Sequence, residues 1–104
     1  MTCRTTSRTL HKWHRELNST VFGGELERPV IVFGFLGDGT LGLCYGKRIM
    51  ISTGLQYMPN ECKATLLHEM VHQWQAQNEL DMDHSTTFKQ WIARCRDIAG
   101  LEIV

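Results

Sequence analysis

NECKATLLHEMVHQWQAQN, running from Asn60 to Asn78, is the stretch on which both the fold and the chemistry turn. Ala64, Leu66, Leu67, Met70, Val71 and Trp74 cover an arc of about 160° on a wheel built at 100° per residue, which predicts a deeply packed helix. Asn60 is the expected N-cap, with Glu61 placed against the helix dipole. Inside the helix, His68-Glu69-Met70-Val71-His72 has the pattern H-E-x-x-H. Histidines at i and i+4 project to one side, about 6 Å apart at Cβ. Both imidazoles can therefore reach one tetrahedral zinc at about 2.0–2.1 Å. Glu69 is rotated about 100° from His68 but only about 60° from His72, so it lies beside such a metal without having to ligate it. There it can take a proton from a water whose pKa the metal lowers toward about 7.

A hydrolytic zinc site needs a third protein ligand and one open position. Gln75 and Asn78 stand where H-E-x-x-H-x-x-G-x-x-H would require glycine and histidine, so the third ligand lies elsewhere. Glu79, Asp81, Asp83 and His84 are the nearby candidates. His84 is the best of them, being neutral, twelve residues past His72 and at the mouth of the next helix. That helix starts near Ser85 and ends before Gly100, on an apolar stripe of Phe88, Trp91, Ile92, Cys95, Ile98 and Ala99.

Upstream, residues 7–20 read as an amphipathic helix capped by Thr6 or Ser7. Leu10, Trp13 and Leu17 fall within about 60° of one another, with Arg8, Lys12 and Arg15 on the opposite side. After Pro29 the pattern changes to strands: 30–36, then Gly37-Asp38-Gly39, then 40–45, a turn at 46–48, and 49–52. Such short turns predict an antiparallel meander of three strands. Gly34 and Gly42 interrupt two of them and mark bulges or close backbone approaches. The fold class is α+β.

The 104 residues suffice for one core, so residues 1–104 are expected to form a single domain. Eleven Lys and Arg balance eleven Asp and Glu, but unevenly. Residues 1–60 carry seven basic and four acidic groups, net +3, and residues 61–104 carry four and seven, net −3. The longest apolar run is far too short to cross a bilayer, and the polar N-terminus lacks the apolar core of a signal peptide. A soluble, cytoplasmic protein with no membrane partner is the expectation. Cys3, Cys44, Cys62 and Cys95 form no C-x-x-C pair, so free structural thiols are expected. The default place for Trp13, Trp74 and Trp91, each on an apolar stripe, is the core.

Residues 10–95 resemble the SprT-like zinc metallopeptidases, the family that includes the DNA-dependent protease Spartan. Asn18 with Val21-Phe22-Gly23-Gly24-Glu25-Leu26 is similar to the family's N-x-x-x-F-G-G-x-L stretch. Gly42 with Ile49 to Ser52 is similar to its glycine and I-x-I-S strand, and Thr65 to His72 to its active-site helix. His84-Ser85-Thr86-Thr87-Phe88 resembles its H-G-x-x-F segment, with serine where glycine is usual. The resemblance implies a minimal zincin-like domain, with His68, His72 and His84 binding one zinc and Glu69 as the catalytic base.

The leading expectation is therefore a zinc endopeptidase acting on a protein or peptide. Tyr45 is the obvious phenol for an oxyanion donor, although a strand tyrosine more often belongs to core or rim. Regulation by DNA is the second, with Arg4, Arg8, Lys12 and Arg15 as the candidate contacts, three or four cations giving only a weak, salt-sensitive grip. The third is a catalytically silent, zinc-stabilised binding module. Glu69 argues against it, since a structural site prefers four protein ligands and needs no base.

Overall fold

The computed structural model describes residues 4–37, 39–45 and 47–101, which form three helices and a three-stranded mixed sheet in an α+β arrangement. Cys3, and the expected turn residues Asp38 and Gly46, lie outside the described residues. The helices are α1 (Ser7–Val21), α2 (Pro59–Gln77) and α3 (Thr86–Ala99). The strands are β1 (Val30–Gly34), β2 (Gly42–Cys44) and β3 (Arg48–Ser52), and a 3-10 turn at Thr53–Leu55 leads from β3 toward α2.

Thr6 caps α1, its hydroxyl accepting a hydrogen bond from Thr9 N–H. Leu10, Leu17 and Val21 are buried while Arg8, Lys12 and Arg15 are exposed, so the amphipathic pattern places this helix as expected. α2 begins one residue before the expected cap, Asn60. Met58 is its N-cap and Pro59 opens it, because the fixed φ of proline suits a first helical residue whose N–H has no partner to lose.

The strand pairing corrects the antiparallel meander. The order is β1-β3-β2, with β3 antiparallel to β2 but parallel to β1. A meander needed a tight reversal at residues 37–39. Instead residues 35–41 carry the chain past β3, two strand spacings or about 10 Å, which a two-residue turn cannot span. Within that crossing Thr40 N–H donates to Gly37 C=O at 2.9 Å. β3 takes the centre because Ile49 and Ile51 are both fully buried, whereas no residue of β2 is.

The two edges of the sheet are treated differently. On the β1 edge the Ser7 hydroxyl donates to Ile31 C=O, and Ile31 N–H donates to His11 Nε2 at 3.3 Å. His11 Nδ1 in turn donates to Ser7 C=O at 2.8 Å, which settles its tautomer. α1 thus occupies backbone groups that would otherwise invite another strand. On the other side, Ser52 N–H donates to Leu41 C=O and Tyr45 N–H to Arg48 C=O, both at 2.8 Å. Alternation then points the backbone groups of Gly42 and Cys44 away from β3, toward the outer edge.

Side-chain amides fasten the segment between α1 and β1. Asn18 donates to Leu26 C=O at 2.9 Å and accepts from Leu26 N–H at 3.0 Å. Gln73 donates to Glu27 C=O at 2.8 Å, and its carbonyl accepts from His14 Nε2–H at 2.8 Å. Burial holds His14 below the ordinary imidazole value, so it stays neutral in this bond.

One core contains Leu10 and Leu17 of α1, Ile31, Ile49 and Ile51 of the sheet, Leu66, Leu67 and Met70 of α2, and Ile92 of α3. Trp13, Trp74 and Trp91 are partly buried and pack against it rather than inside it. Ile98, on the expected apolar stripe, stays 46% exposed. Cys62 and Cys95 are buried thiols, and burial pushes Cys62 up to about 11 and Cys95 up to about 12, which suits inert packing. Among the described residues, no helix is long and apolar enough to cross a membrane.

Candidate metal centre

α2 presents His68, Glu69 and His72 two turns before its end, and the way it ends brings in His84. Glu79 takes a left-handed φ of 57° just beyond the helix. Leu80 N–H then donates to Gln75 C=O at 2.8 Å and Glu79 N–H to Ala76 C=O at 3.1 Å, the paired bonds of a Schellman stop. The chain reverses there and returns along α2. His72 Nε2 and His84 Nε2 come to 3.2 Å, and one nitrogen from each of His68, His72 and His84 lies within 4.8 Å of the others. Two ligands about 2.05 Å from a tetrahedral zinc would be about 3.3 Å apart. These three histidines could hold a metal ion.

Neighbouring side chains fix the rings. His72 Nδ1 donates to Gln75 Oε1 at 2.7 Å, and Gln75 Nε2 donates to Asp83 C=O at 3.1 Å. The first bond leaves the Nε2 lone pair of His72 pointing inward, and the second ties the His84 loop to α2. Burial holds His72 below the ordinary imidazole value, which favours the neutral ring that a metal needs. Phe88, from the first turns of α3, packs against all three imidazoles, with centroids 4.9 Å from His68, 4.9 Å from His72 and 4.5 Å from His84.

Glu69 lies beside this cluster, its Oε2 4.0 Å from His68 Nε2 and its side chain 7% exposed. Burial pushes its carboxyl up to about 7. Gly42 of β2 makes room for it: a Cβ there would stand 2.9 Å from Thr65 Cγ2 and 3.1 Å from both Glu69 Cγ and Glu69 Oε2. The edge strand and α2 therefore approach as closely as a bare backbone permits, which is the close approach expected at this glycine.

Residues 10–104 match the SprT-like family. The chain belongs to that family. A search among curated proteins found no match. For a SprT-like chain, the fold brings together His68, Glu69, His72 and His84, the four residues that carried the expectation of a metal site. Arg4, Arg8, Lys12 and Arg15 are exposed and are not part of this cluster. They accompany α1 on the β1 edge of the sheet, whereas the cluster lies toward β2. Tyr45 is 64% exposed at the end of β2.

Two participants were not read from the sequence as part of the site. Gln75 entered only as a residue that fails a longer histidine motif, although a polar side chain one turn after His72 on a buried face is itself a signal. Phe88 read as core, which it is, but its aromatic face also floors the histidines.

Proposed function

We propose that this SprT-like protein is a zinc-dependent peptidase, with His68, His72 and His84 holding the metal and Glu69 as general base. The convergence of three imidazoles beside a buried carboxylate supports this reading most. Neutral nitrogen donors suit zinc, and the Nε2 atoms of His72 and His84, 3.2 Å apart, stand at the spacing of two ligands on one ion. Bound there, zinc would polarise the scissile carbonyl and acidify the attacking water.

The chain's own residues supply the rest. Glu69 takes the proton from the water as it attacks and delivers it to the departing amine. Its burial keeps bulk water from competing for that proton. Gly42 lies on the outer edge of β2, where an extended peptide can add as a further strand next to Glu69.

Association with DNA is a second reading, supported by the exposed cations of the N-terminal half. Arg15 also shares a hollow of about 170 Å³ with Arg28, His11 and His14, and among the described residues no acidic side chain lines it. Since α1 sits at the β1 edge and the peptide would lie at the β2 edge, DNA here would tether the protein without filling its cleft.

One experiment tests both readings. Zinc content is measured, and cleavage of casein and of the protein itself is compared for wild type and Glu69→Gln, with and without single-stranded DNA across a salt series. One zinc per chain with Glu69-dependent cleavage is the expected result. Zinc without any such cleavage would leave a silent zinc-stabilised module, and absence of DNA binding at low salt would remove the second reading.

A further inference from the structure

Directly beside Glu69 the protein keeps a cavity of about 350 Å³, lined by Leu41, Gly42, Glu61, Ala64, Thr65 and His68. Its volume falls in the range of ligand pockets. One wall is β2 and the residue before it; the other is a single face of α2. Glu61, Thr65 and His68 follow one another at helical spacings on that face, so the cavity runs about 10 Å along the helix from the histidine cluster toward its first turn. The bare backbone of Gly42 keeps its inner end open, because a Cβ would press on Thr65 and Glu69.

The lining has a graded character. Leu41, Ala64 and the Thr65 methyl make the middle apolar, while Glu61, at the far end, is exposed and carries a negative charge. Among the described residues, neither lysine nor arginine lines the cavity. An apolar channel leading from the reacting bond to a solvent-facing carboxylate complements a side chain with an aliphatic stem and a cationic tip, which buries the stem and keeps the tip in water. A peptide added to the edge of β2 would turn every second side chain toward α2, and so into this channel.

We propose that the cavity between β2 and α2 is a substrate subsite selective for lysine or arginine, with Glu61 as the specificity-determining residue. The inference rests on the peptidase reading and adds the substrate class to it. Glu61 at the start of α2 also complements the helix dipole, and that role would persist whatever the substrate. An exposed ion pair typically changes binding by about twofold to fivefold, so the selectivity is modest and charge reversal should be visible.

The test uses a peptide series in which one position carries Lys, Arg, Leu or Glu in an otherwise uncharged sequence. Affinity is read by fluorescence anisotropy on the zinc-loaded Glu69→Gln protein, and cleavage sites of the wild type are read by mass spectrometry. Lys and Arg peptides should bind about threefold to fivefold more tightly than Leu, with cleavage at a constant offset from the basic residue. Glu61→Gln should abolish the difference, and Glu61→Lys should turn the preference toward the Glu peptide. Equal binding of Lys and Leu peptides, no binding of any peptide, or an unchanged preference in Glu61→Lys would overturn the subsite. Basic selectivity in binding without wild-type cleavage would keep the subsite and sink the peptidase reading instead.

Discussion

His72 Nδ1 donates to Gln75 Oε1 at 2.7 Å, so an amide three residues away decides which nitrogen of His72 faces the histidine cluster. Partners of this kind typically change metal affinity by about 10-fold to 100-fold. Gln75→Leu should weaken zinc binding by about that factor, measured by chelator competition, while Gln75→Glu keeps the acceptor and most of the affinity. Wild-type affinity in Gln75→Leu would show that the amide does not orient the ring.

Glu69→Gln removes the proposed base and keeps the shape. Cleavage should fall by at least about 100-fold, the usual weight of a positioned proton acceptor, while zinc stoichiometry is unchanged. Residual cleavage within about threefold of wild type would assign the proton transfer to another group.

Gly42→Ala drives a methyl against Thr65 and Glu69. Strain of this kind costs about 1–3 kcal/mol, to be read from urea unfolding of the zinc-loaded protein. Since the displaced group is Glu69 rather than a histidine, activity should fall further than zinc affinity does. Equal losses of both would mean that the whole helix had moved.

Glu79 occupies a left-handed backbone position that glycine adopts without strain. Glu79→Gly should therefore raise stability by about 0.5–1 kcal/mol in thermal or urea unfolding. A loss of stability would mean that the Glu79 side chain outweighs its backbone strain.

His14 gives the metal-free protein an acid sensitivity of defined sign. Burial keeps its folded value below 6.5, so as pH falls through 6.5 the unfolded chain takes up a proton that the folded chain refuses. Stability from this residue is full above 6.5 and declines below it, by at most about 1.4 kcal/mol per pH unit. His72 is shifted in the same direction and adds to the slope. His14→Gln, which can still donate to Gln73, should flatten the decline between about pH 6.5 and 5, measured by urea unfolding at each pH. An unchanged slope would place the sensitivity elsewhere.

Much of this protein was legible in its sequence because the relevant physics is local. Helical periodicity located α1, α2 and α3 to within about two residues. A spacing of four within α2 placed His68 and His72 on one face and left Glu69 beside them, since the helix fixes those angles whatever surrounds it. The family resemblance over residues 10–95, carried by Asn18 to Leu26, Gly42 and His84 to Phe88 as well as the histidine motif, falls within the residues 10–104 that the SprT-like match covers.

What the tertiary structure decided was long-range. Strand order depends on which strand gains most from being sheltered on both edges, and Ile49 and Ile51 win that place for β3 against the neighbour-by-neighbour pairing that short turns suggest. Ser7 and His11 look like ordinary residues of a polar helix face until Ile31 is found against them. Gln75 and Phe88 likewise acquire their roles only when the reversal at Glu79 folds the His84 segment back along α2. The sequence alone determined which groups could do the chemistry, because their types and helical spacing suffice. The convergence of His84 on His68 and His72, the orientation of the rings and the cleft beside them required tertiary contacts that no local period encodes.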